Sequence, residues 1–353
     1  MKSLIFRMLF IASFFGVLGF VTGCTQKSVP LGDDNAIKVT ADSTIWLELE
    51  PVLRQIFEKV EYTPQPERVF KIEKGDLDNI KRFKNIIFLS TLDAQDEVSR
   101  SINASLTEES KQRVEAGSII FVKKEQWARD QLVMFLISND LPSLVSKVSQ
   151  FHDDILFQFD DHWNKIHHEI LFQSREQFNV EQHLLRTYGW MVRVPLDFKL
   201  ETQSAKDRFV LFFRQVPLRW LSVFWVEATD PTIITKEWCI AKRNEIGKKY
   251  FENDLVEEQF EPVKTEELIF LGRQTLKLIG LWKNDEKVAG GPFRMYCFFD
   301  EPTERIYFID MHVFSPSLKK GKLHYLRQMD IIASTFKTNL EISSDQIMKK
   351  TAR

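Results

Sequence analysis

The chain has 353 residues, with 48 Lys and Arg against 50 Asp and Glu and a formal net charge of −2. So balanced and interspersed a charge offers no electrostatic footprint for a nucleic-acid backbone, and nucleic acid is not an expected partner. The 30 Phe and 8 Trp supply apolar side chains for one large domain or two ordinary ones.

The first stretch in chain order sets the location. Lys2 and Arg7 are followed by 14 mostly apolar residues from 8 to 21, broken only by Ser13, Gly16 and Gly19. A membrane span needs about 20 apolar residues, so this run predicts a secretory signal peptide over residues 1–23. Its end, Val21-Thr22-Gly23-Cys24, resembles the lipobox of bacterial lipoproteins. That resemblance implies cleavage before Cys24 and lipid modification of its thiol, with the membrane as a partner through the lipid. Thr25 and Gln26, rather than an Asp, follow the cysteine. The expected address is therefore the cell envelope, at the periplasmic face of the outer membrane. Residues 24–35, polar with Pro30 and Gly32, are expected to form a tether.

An N-terminal α+β half is expected over 36–180. Strands are predicted at 37–39, 68–72, 85–92, 118–124 and 131–138. Pro51 predicts a first helix that starts close to it, and Tyr62-Thr63-Pro64-Gln65-Pro66-Glu67 predicts a rigid connector. Short helices are expected at 93–101 and 107–115, the second capped by Thr107. Residues 141–177 predict one long helix or two in succession. Leu144, Val148, Phe151, Ile155, Phe159, His162, Ile166 and Ile170 recur at steps of three and four along one face.

A C-terminal α+β half is expected over 181–340. It reads as strands at 188–195, 209–214 and 221–227, a helix at 232–249, and strands at 268–271, 274–282, 292–299 and 305–314. A helix at 322–337 closes the fold, and 341–353 form a polar tail. The fold class is α+β, with antiparallel sheets flanked by helices as in an α/β/α sandwich, the two halves joined by a long helix.

Several short strings spread across the mature chain carry a family resemblance. They are Pro64-Gln65-Pro66-Glu67 with Phe70, Asn85-Ile86-Ile87, Trp127-Ala128 with Gln131, Arg243-Asn244, Gly280-Leu281-Trp282, Gly290-Gly291-Pro292-Phe293 and Tyr325-Leu326-Arg327-Gln328. In this order they resemble domain-of-unknown-function family 4837 (DUF4837), lipoproteins predicted in Bacteroidetes-type bacteria. Lys84, Ile279 and Ala289 depart from residues common in that family. The resemblance implies location and extent, since the family carries no assigned activity. Residues 184–340 also resemble the PsbP-type fold, whose known members are mostly accessory or binding proteins. Such a likeness implies a fold and carries no function.

No phosphate-binding glycine loop, dinucleotide fingerprint, nucleophile elbow or zincin string occurs, so no cofactor is expected. In the stretch Asp160-Asp161-His162-Trp163-Asn164-Lys165-Ile166-His167-His168-Glu169, only Asp161 and His168 return to one helix face. No metal site is expected there: His162 belongs to the core, and His167 and His168 to the solvated side. Cys239 and Cys297 are expected to be buried free thiols, with a disulfide as the alternative. The candidate binding residues are Trp282, Gly290, Gly291, Pro292, Phe293, Asp310 and His312. The two glycines would let a ligand approach a loop backbone beside a flat indole, and Asp310 and His312 share a strand face as a carboxylate–histidine pair. No catalytic residue is assigned. The expected function is binding or assembly at the envelope, with an unidentified envelope protein or small ligand as partner. The alternative is an envelope hydrolase with an unrecognised site.

Overall fold

The computed structural model describes residues 27–173, 176–316 and 321–342. The signal peptide 1–23, Cys24 and residues 343–353 of the tail lie outside the described residues.

The first half builds on a five-stranded sheet. Its chain order is β1 (Ala36–Thr40), α1 (Ser43–Phe57), the hairpin β2 (Val60–Tyr62) and β3 (Pro66–Arg68), β4 (Lys71–Lys74), α2 (Leu77–Ile80) and β5 (Asn85–Thr91). It continues through α3 (Glu97–Ala104), α4 (Glu108–Glu115), β6 (Ile120–Lys124) and β7 (Leu132–Ser138). The strand order is β4-β1-β5-β7-β6. The expectation of antiparallel pairing fails here: β1 runs parallel to β4 and β5, and β5 parallel to β7, leaving only β6–β7 antiparallel. Helices between successive strands make the crossovers that parallel pairing needs. Consistent with this, β5 and β7 are buried along their whole length, as expected where helices cover both faces. Ile86 and Phe88 pack beneath α3 and α4, whereas Ile87 and Leu89 face α1.

Local rules account for the helix starts. The side chains of Asp42, Asp96, Thr107 and Asp140 each accept a backbone N–H in the first turn of the helix that follows. α1 does not wait for Pro51. Pro51 lies inside it, and Leu47, whose carbonyl loses its partner, is on the exposed side of the helix.

The expected long helix is two: α5 (Leu141–Gln150) and α6 (His152–Phe172), separated at Phe151. Its apolar stripe is buried at Leu144, Val148, Ile155, Phe159 and His162 but runs out at Ile170, which is 55% exposed. A further helix, α7 (Phe178–Tyr188), ends on left-handed Gly189. No separate helix is expected there from the sequence.

The second half is an eight-stranded, wholly antiparallel sheet. After the short β8 (Trp190–Met191) come β9 (Lys199–Ser204), β10 (Phe209–Arg214), β11 (Leu218–Glu227), α8 (Lys236–Tyr250), β12 (Leu255–Glu257), β13 (Lys264–Phe270), β14 (Arg273–Asn284), β15 (Ala289–Asp300) and β16 (Arg305–Phe314). α9 (Lys322–Ala333) and β17 (Lys337–Thr338), which pairs with β8, complete it. The sheet order is β12-β14-β15-β16-β11-β10-β9, with β13 on β14. The fold is α+β. Period-two alternation splits β16: Ile309, Met311 and Val313 join the core that holds α9, while Phe308 joins the one beneath α8. The α9-side core is continuous with that of α1, α5 and α6, so both halves share one apolar interior.

Candidate functional site

The residues singled out on β14, β15 and β16 do come together, but in the interior. Trp282, Gly291, Pro292, Phe293, Asp310 and His312 are all buried. Gly290 and Gly291 are not a loop. They sit inside β15, opposite Lys283 and Trp282 of β14. Their role is space, since a Cβ on Gly291 would lie 2.1 Å from the Val313 carbonyl and 3.1 Å from Trp282 Nε1.

Beneath α8, Arg243 Nε donates to Asp310 Oδ1 at 3.0 Å, and its guanidinium lies 4.1 Å from the centre of the Phe293 ring. Burial by itself raises the Asp310 carboxyl, but Arg243 and the nearby His312 together hold the group below its ordinary range. His312 Nδ1 stands 3.6 Å from Asp310 Oδ2, too far for a hydrogen bond. Its ring stacks on Trp220 at 4.8 Å and meets the edge of Phe251 at 4.7 Å. Burial pushes the His312 pKa down, so it sits neutral. This cluster is a buried, charge-paired core. Cys239 and Cys297 are buried free thiols in the same layer.

A solvent-facing site lies elsewhere, on the seam between the two halves. A cleft of about 570 Å³ opens between the β2–β3 hairpin, the segment 32–35 and the first turn of α9. Pro64–Glu67 is more than a rigid connector: its prolines present Gln65 and Glu67 to the other half. Glu67 accepts the backbone N–H of Lys322 (2.8 Å) and of Leu323 (3.1 Å), and Gln65 Oε1 accepts from Lys322 Nζ at 2.9 Å. Gly321 supplies no side-chain cap for α9. A carboxylate from the other half takes that place, where the helix dipole favours negative charge.

Behind Asp34, which lines the cleft, runs a buried hydrogen-bonded chain. Arg219 Nη1 donates to Gln328 Oε1 (3.0 Å), and Gln328 Nε2 faces His167 Nδ1 at 3.2 Å. His167 Nε2 lies 3.3 Å from Asp34 Oδ2 without hydrogen-bond alignment, and Asp34 Oδ1 accepts from Lys84. His167, then Lys84, hold the Asp34 carboxyl far below its ordinary range. His167 is buried, not solvated as expected. It stacks on Trp163 at 3.9 Å, and the Arg327 guanidinium lies 3.9 Å from the Trp163 ring centre. The reason is that α6 is covered on two sides, by the first-half helices and by α9. His162 is buried as expected, and His168 pairs with Arg193 at 2.7 Å.

Asp34, His167 and His324 place ligand atoms within 4.8 Å of one another. As arranged, Gln328 donates to His167 Nδ1, which leaves the proton on Nε2, and Lys84 neutralises Asp34. Asp34 Oδ1 and His167 Nδ1 are thus already engaged by Lys84 and Gln328. The only hint in the sequence was His167 itself, because the partners come from residues 34, 219, 324 and 328.

Residues 177–335 match the family model described as a domain of unknown function, DUF4837. The DUF4837 match spans α7 to the end of α9, and with it the buried Arg243–Asp310–His312 cluster. Asp34, Glu67 and His167 lie outside it, as do the strings at 64–67, 85–87 and 127–131. No curated protein matches the chain. Among solved structures, the Ran-binding protein Mog1p of Saccharomyces cerevisiae is 11% identical, with 43% of this chain and 90% of that chain covered at a TM-score of 0.30. A Bacteroides thetaiotaomicron structure is 6% identical, with 47% of this chain and 55% of that chain covered at a TM-score of 0.27. Such scores assign no fold.

Proposed function

We propose that this protein is a lipoprotein of the cell envelope, held through Cys24, with a binding or assembly role served by the cleft at the seam. Its likeness to Bacteroidetes-type lipoproteins and to the PsbP-type fold, and an address on the periplasmic face of the outer membrane, belong to the same reading. The lipobox-like end Val21–Cys24 supports the anchor. Among the described residues no helix is long and apolar enough to cross a membrane.

One observation carries the binding role: the cleft is walled by both halves and braced by Glu67 on α9, with charged and aromatic groups facing its space. A partner of mixed polarity fits such a lining. Crosslinking in envelope extracts tests this. A partner should be captured by wild type and by a Val288→Glu control, and lost with Lys71→Glu or His324→Ala. Retention of the partner by the cleft variants, or no partner and no ligand, sinks the reading.

The hydrolase alternative finds no support at Asp310 and His312, which are fully buried. One observation favours it elsewhere, Asp34 and His324 on an open cleft with His167 buried behind them. Turnover of ester or amide substrates that is unchanged by His167→Gln would exclude that pair.

A further inference from the structure

The expected tether is mostly not free. Ser28 forms a parallel bridge with Ala128, and its carbonyl accepts from Arg129 N at 3.1 Å. Leu31 N donates to the Arg82 carbonyl at 2.7 Å, and Lys84 N returns a bond to the Leu31 carbonyl at 2.9 Å. The chain is thus fixed to the body from Ser28 onward. From Cys24 to Ser28 a fully extended chain reaches only about 14 Å. A lipid on Cys24 therefore holds one particular end of the protein at the headgroups, whose layer is about 5–7 Å deep on each side.

That end is defined by register. Asn85 opens β5, Leu132 opens β7, and Lys124 closes β6, all three side by side. The segments that enter and leave there carry Lys27, Lys81, Arg82, Lys123, Lys124 and Arg129, all exposed. Opposing charge is partly spent locally: Glu125 pairs with Lys27 at 3.5 Å and accepts from the backbone N–H of Asp130. Val29 and Leu31 are 67% and 44% exposed beside these cations. Trp127 is half-buried there, with Lys81 Nζ 5.5 Å from its ring centre. Cations interleaved with exposed aliphatic groups and an indole suit a lipid–water boundary: the charges meet anionic headgroups while the apolar groups enter the shallow interface.

We propose that this end of the five-stranded sheet is a membrane-apposed face that recognises anionic phospholipid. The proposal rests on the Cys24 anchor reading and adds the orientation in which the protein is held. The full chain is made in cells with radioactive palmitate, as wild type and as Cys24→Ala. The lipidated protein is then reconstituted in vesicles of zwitterionic phospholipid, with or without phosphatidylglycerol, some of it brominated. A fluorophore is placed on Val29→Cys or, as a distant control, on Val288→Cys, which is 92% exposed. The native thiols at 239 and 297 are buried and stay unlabelled. Quenching at Val29 should exceed that at Val288 by about threefold or more on the anionic vesicles. It should fall at about 0.5 M salt or with Lys81→Glu/Lys124→Glu/Arg129→Glu, since both weaken attraction to headgroups. Palmitate incorporated equally without Cys24 overturns the anchor and, with it, this orientation. Palmitate on Cys24 with equal quenching at both positions overturns the orientation alone.

Discussion

Glu67 and Lys322, 255 residues apart, meet as a helix cap: the Glu67 carboxylate accepts the Lys322 backbone N–H at 2.8 Å. The contact ties the hairpin of the first half to α9 of the second. It also dictates the neighbouring residue, because a Cβ on Gly321 would lie 1.7 Å from Glu67 Oε2. Glu67→Ala should cost about 1–2 kcal/mol. Gly321→Ala should also destabilise, and the double variant should lose less than the sum, since the clash disappears with the carboxylate. Urea titrations of the four proteins test this; strict additivity would refute the shared contact.

Arg243 and Asp310 form a buried pair, and breaking it leaves one charge without a partner. Asp310→Asn should destabilise by about 3–5 kcal/mol, whereas the double replacement Arg243→Met/Asp310→Leu should recover much of that. If the double variant proves as unstable as the single one, the pair has a role beyond mutual neutralisation.

The strand glycine Gly291 makes room for the Val313 carbonyl and the Trp282 indole. Gly291→Ala should cost about 1–3 kcal/mol through overpacking. Removing the indole as well, in Gly291→Ala/Trp282→Ala, should not restore stability, because the backbone carbonyl is the harder obstacle. Full recovery in the double variant, read by chemical denaturation, would identify the indole as the cause instead.

His312 gives stability an acid limit. Burial lowers its folded pKa below the unfolded value of about 6.5. The unfolded chain therefore takes up the proton first as pH falls, and stability present above about pH 6.5 is lost below it. His162 and His168, also lowered by burial, act in the same direction. The Asp310 carboxyl, held low, contributes above its ordinary range and loses that contribution only at more acidic pH. Melting temperatures from pH 7.5 to 5 should thus fall less steeply in His312→Phe than in wild type. Parallel slopes would show that His312 does not titrate on unfolding.

Much of the fold was legible because it is written locally. Apolar runs bounded by turn signals placed β10, β11, β15 and β16. The placement of Asp310 and His312 on one strand face followed from alternation alone. Pairing was less legible. β5 and β7 read as buried strands, but their parallel alignment depends on crossovers that no short window contains. Gly290-Gly291 read as a turn because adjacent glycines favour one, whereas packing against Trp282 and Val313 is their actual constraint.

The sequence by itself determined a lipobox-like end at Cys24, the α+β class, and which residues are apolar enough to be buried. Tertiary structure decided the rest, because its contacts join residues far apart in the chain. It sealed Asp310 and His312 beneath α8. It brought Asp34 and His324 to one cleft with His167 buried behind them, and it docked Ser28 and Leu31 so that the tether shrinks to a few residues. Those outcomes depend on which surfaces meet across the seam, and a short window of sequence holds only one side of each contact.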